Sequence, residues 1–255
     1  MRSGIFVLTA AFVTLMAGAA GAQTETPLTP TQIAIGCAPR PSLDGPPHGA
    51  RHVIGGQDTV PRSVFGNRDL LVVDGGTQAG IQLGQQFFVR RQSRYAMPGY
   101  TMPGYASGRM ATTEGWIRIV AVNESTAIAA VDRACGVITA GDFLEPFVIP
   151  VAPPDAGRDE RVGDPDFTTL ARVVVGNENR VSAVPGDFVL IDHGDQQGLA
   201  AGARFAIYRD VGVSGMPLAS IGDGIVIATG KSVALTRITR ARDVVISGDY
   251  VAIRK

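Results

Sequence analysis

Apolar and polar residues alternate over short stretches of this chain, and glycine and proline separate the stretches. This pattern is typical of β-strands joined by tight turns rather than of helices. The stretch 69–74 is a predicted strand that ends at Gly75-Gly76, a pair that tolerates positive φ. Further strands are predicted at residues 116–122, 126–131, 143–145, 225–229, 232–238 and 250–253. The sequence therefore predicts an all-β protein.

The stretch 85–91 shows the alternation clearly. Successive side chains of a strand point to opposite faces, so Phe87 and Val89 share one face. We expect that face to point into the core, as Phe205 and Ile207 should in a later strand. The opposite face carries Gln86, Phe88 and Arg90.

Residues 69–91 recur as residues 187–209, at an offset of 118. Eight of the 23 aligned pairs are identical: Asp69/Asp187, Asp74/Asp192, Gly76/Gly194, Gln78/Gln196, Gly80/Gly198, Gly84/Gly202, Phe87/Phe205 and Arg91/Arg209. The following strands recur at an offset of 107, where residues 115–145 align with residues 222–252. A repeat of this size predicts two homologous small β-barrel or sandwich domains in tandem. We expect the first at residues 53–147 and the second at residues 168–255.

The two offsets differ because the first unit carries 11 extra residues, which fall within residues 92–114. This insert repeats a short Tyr-x-Met-Pro-Gly motif, and Pro-Gly pairs favour type II turns, so we expect a loop rather than a long strand. Exposed Tyr and Met are adaptable contact residues at many interfaces. The insert is therefore our candidate partner-binding surface, with Tyr95, Met97, Tyr100, Met102 and Tyr105. In the alternative, these tyrosines fold back over an exposed barrel end.

Residues 1–22 have the features of a signal peptide: a positive charge at Arg2, an apolar run and a small-x-small site at Ala20-Gly21-Ala22. We expect an exported protein, periplasmic or associated with the cell envelope, whose mature chain begins near Gln23. The alternative is an uncleaved anchor, since the run approaches the length of about 20 residues that spans a bilayer. The mature part contains no predicted transmembrane segment.

Two further segments are rich in proline. Residues 23–52 predict an extended or loosely packed N-terminal arm, and residues 148–167 predict a linker between the two units. Export to an oxidising compartment predicts a disulfide between Cys37 and Cys135, which closes a loop of about 100 residues and stabilises by about 4–5 kcal/mol. The alternative is two separate buried thiols.

The balance of charged residues gives no indication of nucleic-acid binding. Lys plus Arg and Asp plus Glu both number 23, so no overall field favours nucleic acid. The segment Gly230-Lys231-Ser232 resembles the end of a phosphate-binding loop, but its glycine spacing is wrong, and alignment predicts a hairpin turn there.

The acidic turn at 192–195 could suggest a metal or an acid-base pair, yet a solvated turn whose Asp192 bonds backbone amides explains it better. His48 and His52 have no ligand spacing. Trp116, the sole Trp, begins a predicted strand and is expected to pack beside the insert loop that precedes it rather than to bind a ligand. We therefore predict no catalytic, metal or cofactor-binding residue and no cofactor.

The pattern Gly-Asp or Asp-x-Val, then Asp-x-Gly, Gln-x-Gly-Ile/Leu, Gly-x-x-Phe-x-Val/Ile-x-Arg and a closing Gly-Asp resembles a small β module of bacterial envelope proteins. That module accompanies peptidoglycan-binding LysM domains and is similar to the C-terminal domain of flagellar assembly protein T. The resemblance covers residues 53–147 and 168–255, and its motif positions are structural glycines and core apolar residues.

The resemblance implies the fold and an envelope location. Together with the insert and the Pro-rich arm, it leads us to expect a noncatalytic binding or assembly module that acts through protein-protein contacts. The alternative is a peptidoglycan or carbohydrate binding module. A hydrolase whose site is assembled from both units is a third and more remote hypothesis.

Overall fold

The computed structural model describes residues 27–96, 107–154, 156, 158, 161–176 and 180–255. Over these residues it contains one short α-helix, α1 (Pro30–Gly36), short 3-10 helices at Thr77–Ala79 and Asp195–Gln197, and strands that confirm the all-β prediction. The strands of the first half are β1 (Val53–Gly56), β2 (Val64–Phe65), β3 (Leu70–Asp74), β4 (Gln86–Ala96), β5 (Ser107–Val122), β6 (Thr126–Ala134), β7 (Ile138–Thr139) and β8 (Phe143–Pro146). Those of the second half are β9 (Pro165–Gly176), β10 (Ser182–Ala183), β11 (Phe188–Ile191), β12 (Arg204–Arg209), β13 (Ala219–Thr229), β14 (Ala234–Ala241), β15 (Val245–Ile246) and β16 (Tyr250–Arg254).

The two halves have the same order of strands. The second half is a closed antiparallel barrel in the order β9-β11-β14-β13-β12-β16. The first half has the corresponding sheet order β1-β3-β6-β5-β4-β8. A single bridge between His52 and Phe143 joins its two edge strands. The short pairs β2-β7 and β10-β15 also correspond.

Each half has its own apolar interior. Phe87 and Val89 lie in the core of the first half, and Phe205 and Ile207 lie in the core of the second, as the alternation predicts. β11 is buried along its whole length, since Val189 and Ile191 face the barrel interior while its other side chains belong to a different cluster.

That third cluster joins the two halves. Leu190, Ile225 and Leu235 of the second barrel belong to the same buried cluster as Met110 of β5 and Ala38 of the arm. The outer face of the second barrel is therefore covered by parts of the chain that precede it.

Part of the arm differs from the prediction of an extended or loosely packed segment. Thr29 is the N-cap of α1 and forms a capping box with Gln32. The Thr29 hydroxyl accepts from the Gln32 backbone N–H, and the Gln32 side chain accepts from the Thr29 N–H. Ala38 beyond the helix is buried. The disulfide is confirmed, because Cys37 and Cys135 are bonded with their Cα atoms 5.4 Å apart.

The prediction of a loop in the insert is wrong for most of its length. β4 continues to Ala96 and β5 begins at Ser107, and the two strands pair from Gln86↔Arg118 to Ala96↔Ser107. The Pro-Gly pairs that indicated a loop lie at residues 98–99 and 103–104, outside the described residues. The described residues on either side of them pair with each other, so the β4–β5 ladder continues beyond the points where β8 and β6 stop pairing, at Arg90 and Gly115.

Candidate functional site

Most of the positions that are identical in both halves have matched structural roles. The carboxylates of Asp69 and Asp187 accept from the backbone N–H groups of Gly66 and Val184, at 2.8 and 3.0 Å. Gly80 and Gly198 share a left-handed conformation, with φ of 77° and 78°. The repeated residues therefore maintain the fold, and residues that differ between the halves are better candidates for function.

The acidic turn of the second half contains a His-Asp pair. Asp192 Oδ1 accepts from the Arg172 backbone N–H at 2.6 Å, as we predicted, although Asp192 is largely buried rather than solvated. His193 Nδ1 lies 3.3 Å from Asp192 Oδ1. The hydrogen bond to Asp192 raises the pKa of His193, against the opposing effect of burial. Within the described residues, no group of three or more His, Cys, Asp or Glu side chains could hold a metal ion.

The segment that resembles a phosphate-binding loop is a hairpin turn, as the alignment predicted. The Gly230 N–H donates to Val233 O at 2.8 Å between β13 and β14, just as the Asn123 N–H donates to Thr126 O between β5 and β6. Lys231 is exposed at this turn.

Of the candidate partner-binding residues, Tyr95 lies in the part of the chain that the structure describes. Tyr95 is part of β4 and pairs with Gly108. Met97, Tyr100, Met102 and Tyr105 lie outside the described residues. The structure thus places one of the five predicted contact residues on the hairpin ladder.

The base of the same hairpin is anchored. Met110 is fully buried, and the Arg40 N–H of the arm donates to Ala111 O at 3.1 Å. The Thr113 hydroxyl donates to Ala38 O at 2.7 Å. The arm and the second barrel therefore hold the base of the hairpin.

Sequence reasoning missed a cleft between the two halves, with a volume of about 630 Å³. Its walls are formed by the arm, β4 of the first half, the linker, strands β13 and β14 of the second barrel, and Ala201 in the turn before β12. The apolar lining includes Ile35, Phe88, Ile149, Ile227 and Leu235. A concave apolar site of this size falls in the range of about 300–1,000 Å³ that is typical of ligand pockets.

Three charged side chains adjoin this cleft. Arg40 Nη1 lies 3.0 Å from Glu145 Oε1, and Arg90 Nε lies 3.3 Å from Glu145 Oε2. Both contacts are within ion-pair distance, but neither nitrogen has hydrogen-bond geometry to a partner. Both arginines line the cleft, and Arg90 is only 8% exposed. The pKa of Arg90 is lowered to about 10, mainly by burial. The charge of Glu145 opposes this shift and the charge of Arg40 adds to it. Arg90 therefore remains a cation near neutral pH.

One signal in the sequence pointed to this region. Phe88 and Arg90 are on the outward face of β4, where the second half has Ala206 and Tyr208. A large apolar residue on the outward face indicates that something covers it. Phe88 is indeed buried, with its ring 4.7 Å from the ring of Phe147 and the Arg90 guanidinium 4.4 Å above it.

Trp116 is buried. Residues 97–106 of the insert, beside which it is predicted to pack, lie outside the described residues. The ring of Trp116 lies 5.6 Å from that of Phe147 and touches Gly36 of the arm. Beside it is a groove of about 520 Å³ that also contains Gln86, Arg118 and Asp132. Asp132 Oδ2 accepts from Gln86 Nε2 at 3.1 Å and from Arg118 Nε at 3.2 Å.

Two comparisons bear on the chain as a whole. No model of a known protein family and no curated protein matches it. Among the residues that the structure describes, no helix is long and apolar enough to cross a membrane.

Proposed function

We propose that this protein is a noncatalytic, exported binding or assembly module of the bacterial periplasm or cell envelope, which acts through protein-protein contacts at the end of the β4–β5 hairpin. The proposal treats the two halves as copies of one duplicated unit. The observation that supports this function is that the hairpin extends by five paired positions beyond Arg91, from Gln92↔Ala111 to Ala96↔Ser107.

The position of Met110 explains how the hairpin could serve this role. A long two-stranded ribbon by itself is only marginally stable in water. Here Met110 and Ala111 are buried at its base, so the ribbon is supported where it leaves the sheet of the first half. A supported base fixes the direction of the hairpin end, which reduces the conformational entropy that binding would cost.

The test uses the mature chain and a variant in which residues 98–105 are replaced by Asn-Gly, a two-residue turn that preserves the ladder. The matched control shortens residues 210–218, which connect β12 and β13 at the corresponding position of the second half. Both proteins and the parent are used to capture partners from envelope extract, and any captured protein is then purified and rebound directly. Direct binding that is lost only in the first variant supports the proposal, whereas equal binding by all three proteins contradicts it.

The groove beside Trp116 favours a second candidate function, peptidoglycan or carbohydrate binding. Gln86, Arg118 and Asp132 supply amide, guanidinium and carboxylate groups next to the half-buried ring of Phe147. Sugars are bound by such combinations because hydroxyls need donors and acceptors while the ring carbons contact apolar surface. Cosedimentation with purified sacculi that is lost in Gln86→Ala would support this candidate, and cosedimentation unchanged in that variant would exclude the groove.

A further inference from the structure

The cleft between the two halves has an apolar mouth as well as apolar walls. Val148 and Val151 of the linker are 70% and 81% exposed, and both line the cleft. Exposed apolar side chains that continue into a concave apolar site mark a place where a ligand removes them from water. The walls beneath them include Phe88, Ile227 and Leu235.

The charges beside the cleft determine which kind of ligand would bind. Arg40 and Arg90 share a single carboxylate, and each oxygen of Glu145 is already within ion-pair distance of one arginine. The cluster therefore carries one uncompensated positive charge. Arg90 is buried, so this charge is poorly screened by water. An anion that reaches the two guanidinium groups would gain charge-assisted hydrogen bonds.

We propose that the cleft binds an anionic amphiphile, a carboxylate with a single aliphatic chain. The carboxylate pairs with Arg40 and Arg90, and the chain lies along Phe88, Ile227 and Leu235. The site is separate from the hairpin end, so it does not depend on the function proposed above. An aliphatic cation would meet a positive cluster, and an aliphatic alcohol would use only the apolar walls.

The test measures binding to the mature protein by titration calorimetry, with decanoate, decanol and decyltrimethylammonium as probes below their aggregation concentrations. We expect decanoate to bind at least about tenfold more tightly than decanol, since a hydrogen bond to a charged group contributes about 1.5–3 kcal/mol. We expect no measurable binding of the cation. Decanol that binds as tightly as decanoate, or no binding of decanoate, would overturn the proposal.

Three variants locate the site. Arg40→Gln should weaken decanoate by about tenfold and leave decanol unchanged, while Arg40→Lys should retain most of the affinity. Arg40 is suitable because its side chain is partly exposed and Glu145 keeps Arg90 as a partner. Ala201→Phe fills the cleft from an exposed lining position and should weaken both ligands.

Ala200→Phe is the matched control, because Ala200 is also exposed but is not among the residues that line the cleft. It should bind decanoate like the parent. Equal weakening by Ala200→Phe and Ala201→Phe, or no effect of Arg40→Gln, would contradict this location. Denaturation curves of the variants show that lost binding is not lost folding.

Discussion

Arg209 holds Asp249 through two parallel hydrogen bonds, each 2.8 Å long, from Nε and Nη2 to the two carboxylate oxygens. Arg91 holds Asp142 in the same way in the first half, at 2.8 and 2.7 Å. In both halves the Asp also accepts a backbone N–H three residues earlier in the chain. The pair therefore attaches the strand that carries the arginine to the turn before the last strand.

Arg209 forms one ion pair with a buried carboxylate and a second with an exposed carboxylate, so the two can be compared. Its second partner, Asp243, is 62% exposed, whereas the side chain of Asp249 is 2% exposed. Removal of the Asp249 carboxylate in Asp249→Ala should destabilise the fold by about 3–5 kcal/mol, because one partner of a buried pair and a backbone hydrogen bond are lost. Asp243→Ala should cost less than about 1 kcal/mol. Urea denaturation measures both, and equal losses would contradict this explanation.

The disulfide should stabilise the arm. It joins Cys37 and Cys135 across a sequence separation of 98 residues, so removing it should lower the free energy of unfolding by about 4–5 kcal/mol in the loop-entropy model. We expect the double variant Cys37→Ser/Cys135→Ser to unfold at lower urea concentration and to be cleaved first in residues 40–52 by a protease. An unchanged cleavage pattern would show that α1 and Ala38 hold the arm without the bond.

The His193–Asp192 pair should make stability depend on pH. The pKa of His193 is raised in the folded protein, so the folded state binds its proton more tightly than the unfolded chain does. This contribution is fully present below the unfolded pKa of about 6.5 and is lost as pH rises through the folded pKa. Urea midpoints measured from pH 5.5 to 8.5 should fall over this window, and His193→Gln should flatten that part of the profile. A variant with the parent's profile would refute the role of His193.

Gly194 and Gly198 of the second half should contribute to stability for different reasons. A Cβ on Gly194 would lie 2.2 Å from the carbonyl oxygen of Gly230, so the two turns would have to separate. Gly198 has open space around it but a φ of 78°, and an alanine there should cost about 1–2 kcal/mol. We expect Gly194→Ala to lose more stability than Gly198→Ala in thermal denaturation. The reverse order would mean that the close approach is readily relieved.

The sequence predicted those features of the fold that depend on local pattern. The alternation of Phe87 and Val89 correctly gave the core face, and the offset of 107 correctly equated Gly230 with the Asn123 turn. The cleft and the burial of Arg90 could not be predicted, since they depend on how the arm and linker pack against both halves. The sequence wrongly predicted a loop for the whole insert. Pairs such as Gln92 and Ala111 join residues far apart in the sequence and have no local pattern, whereas the Pro-Gly pairs are strong local turn signals.

A substitution at Met110 tests whether the base of the hairpin packs against the second barrel. It is 0% exposed and belongs to the cluster that contains Val174, Leu190 and Ile225 of that barrel. Met110→Ala should therefore destabilise the protein by about 2–5 kcal/mol, from lost burial and the cavity left behind. Hydrogen exchange of β9 and β11 should also become faster, because their outward side chains lose their cover.

Arg109 provides the matched control for Met110, since it is the preceding residue of β5 and is exposed. Arg109→Ala should change stability by less than about 0.5 kcal/mol and leave exchange in β9 and β11 unaltered. If both variants behave alike, the hairpin base does not rest on the second barrel. If only Met110→Ala accelerates exchange there, removing all of residues 92–114 would damage the second barrel as well. Binding by the hairpin must then be tested with the shorter replacement of residues 98–105.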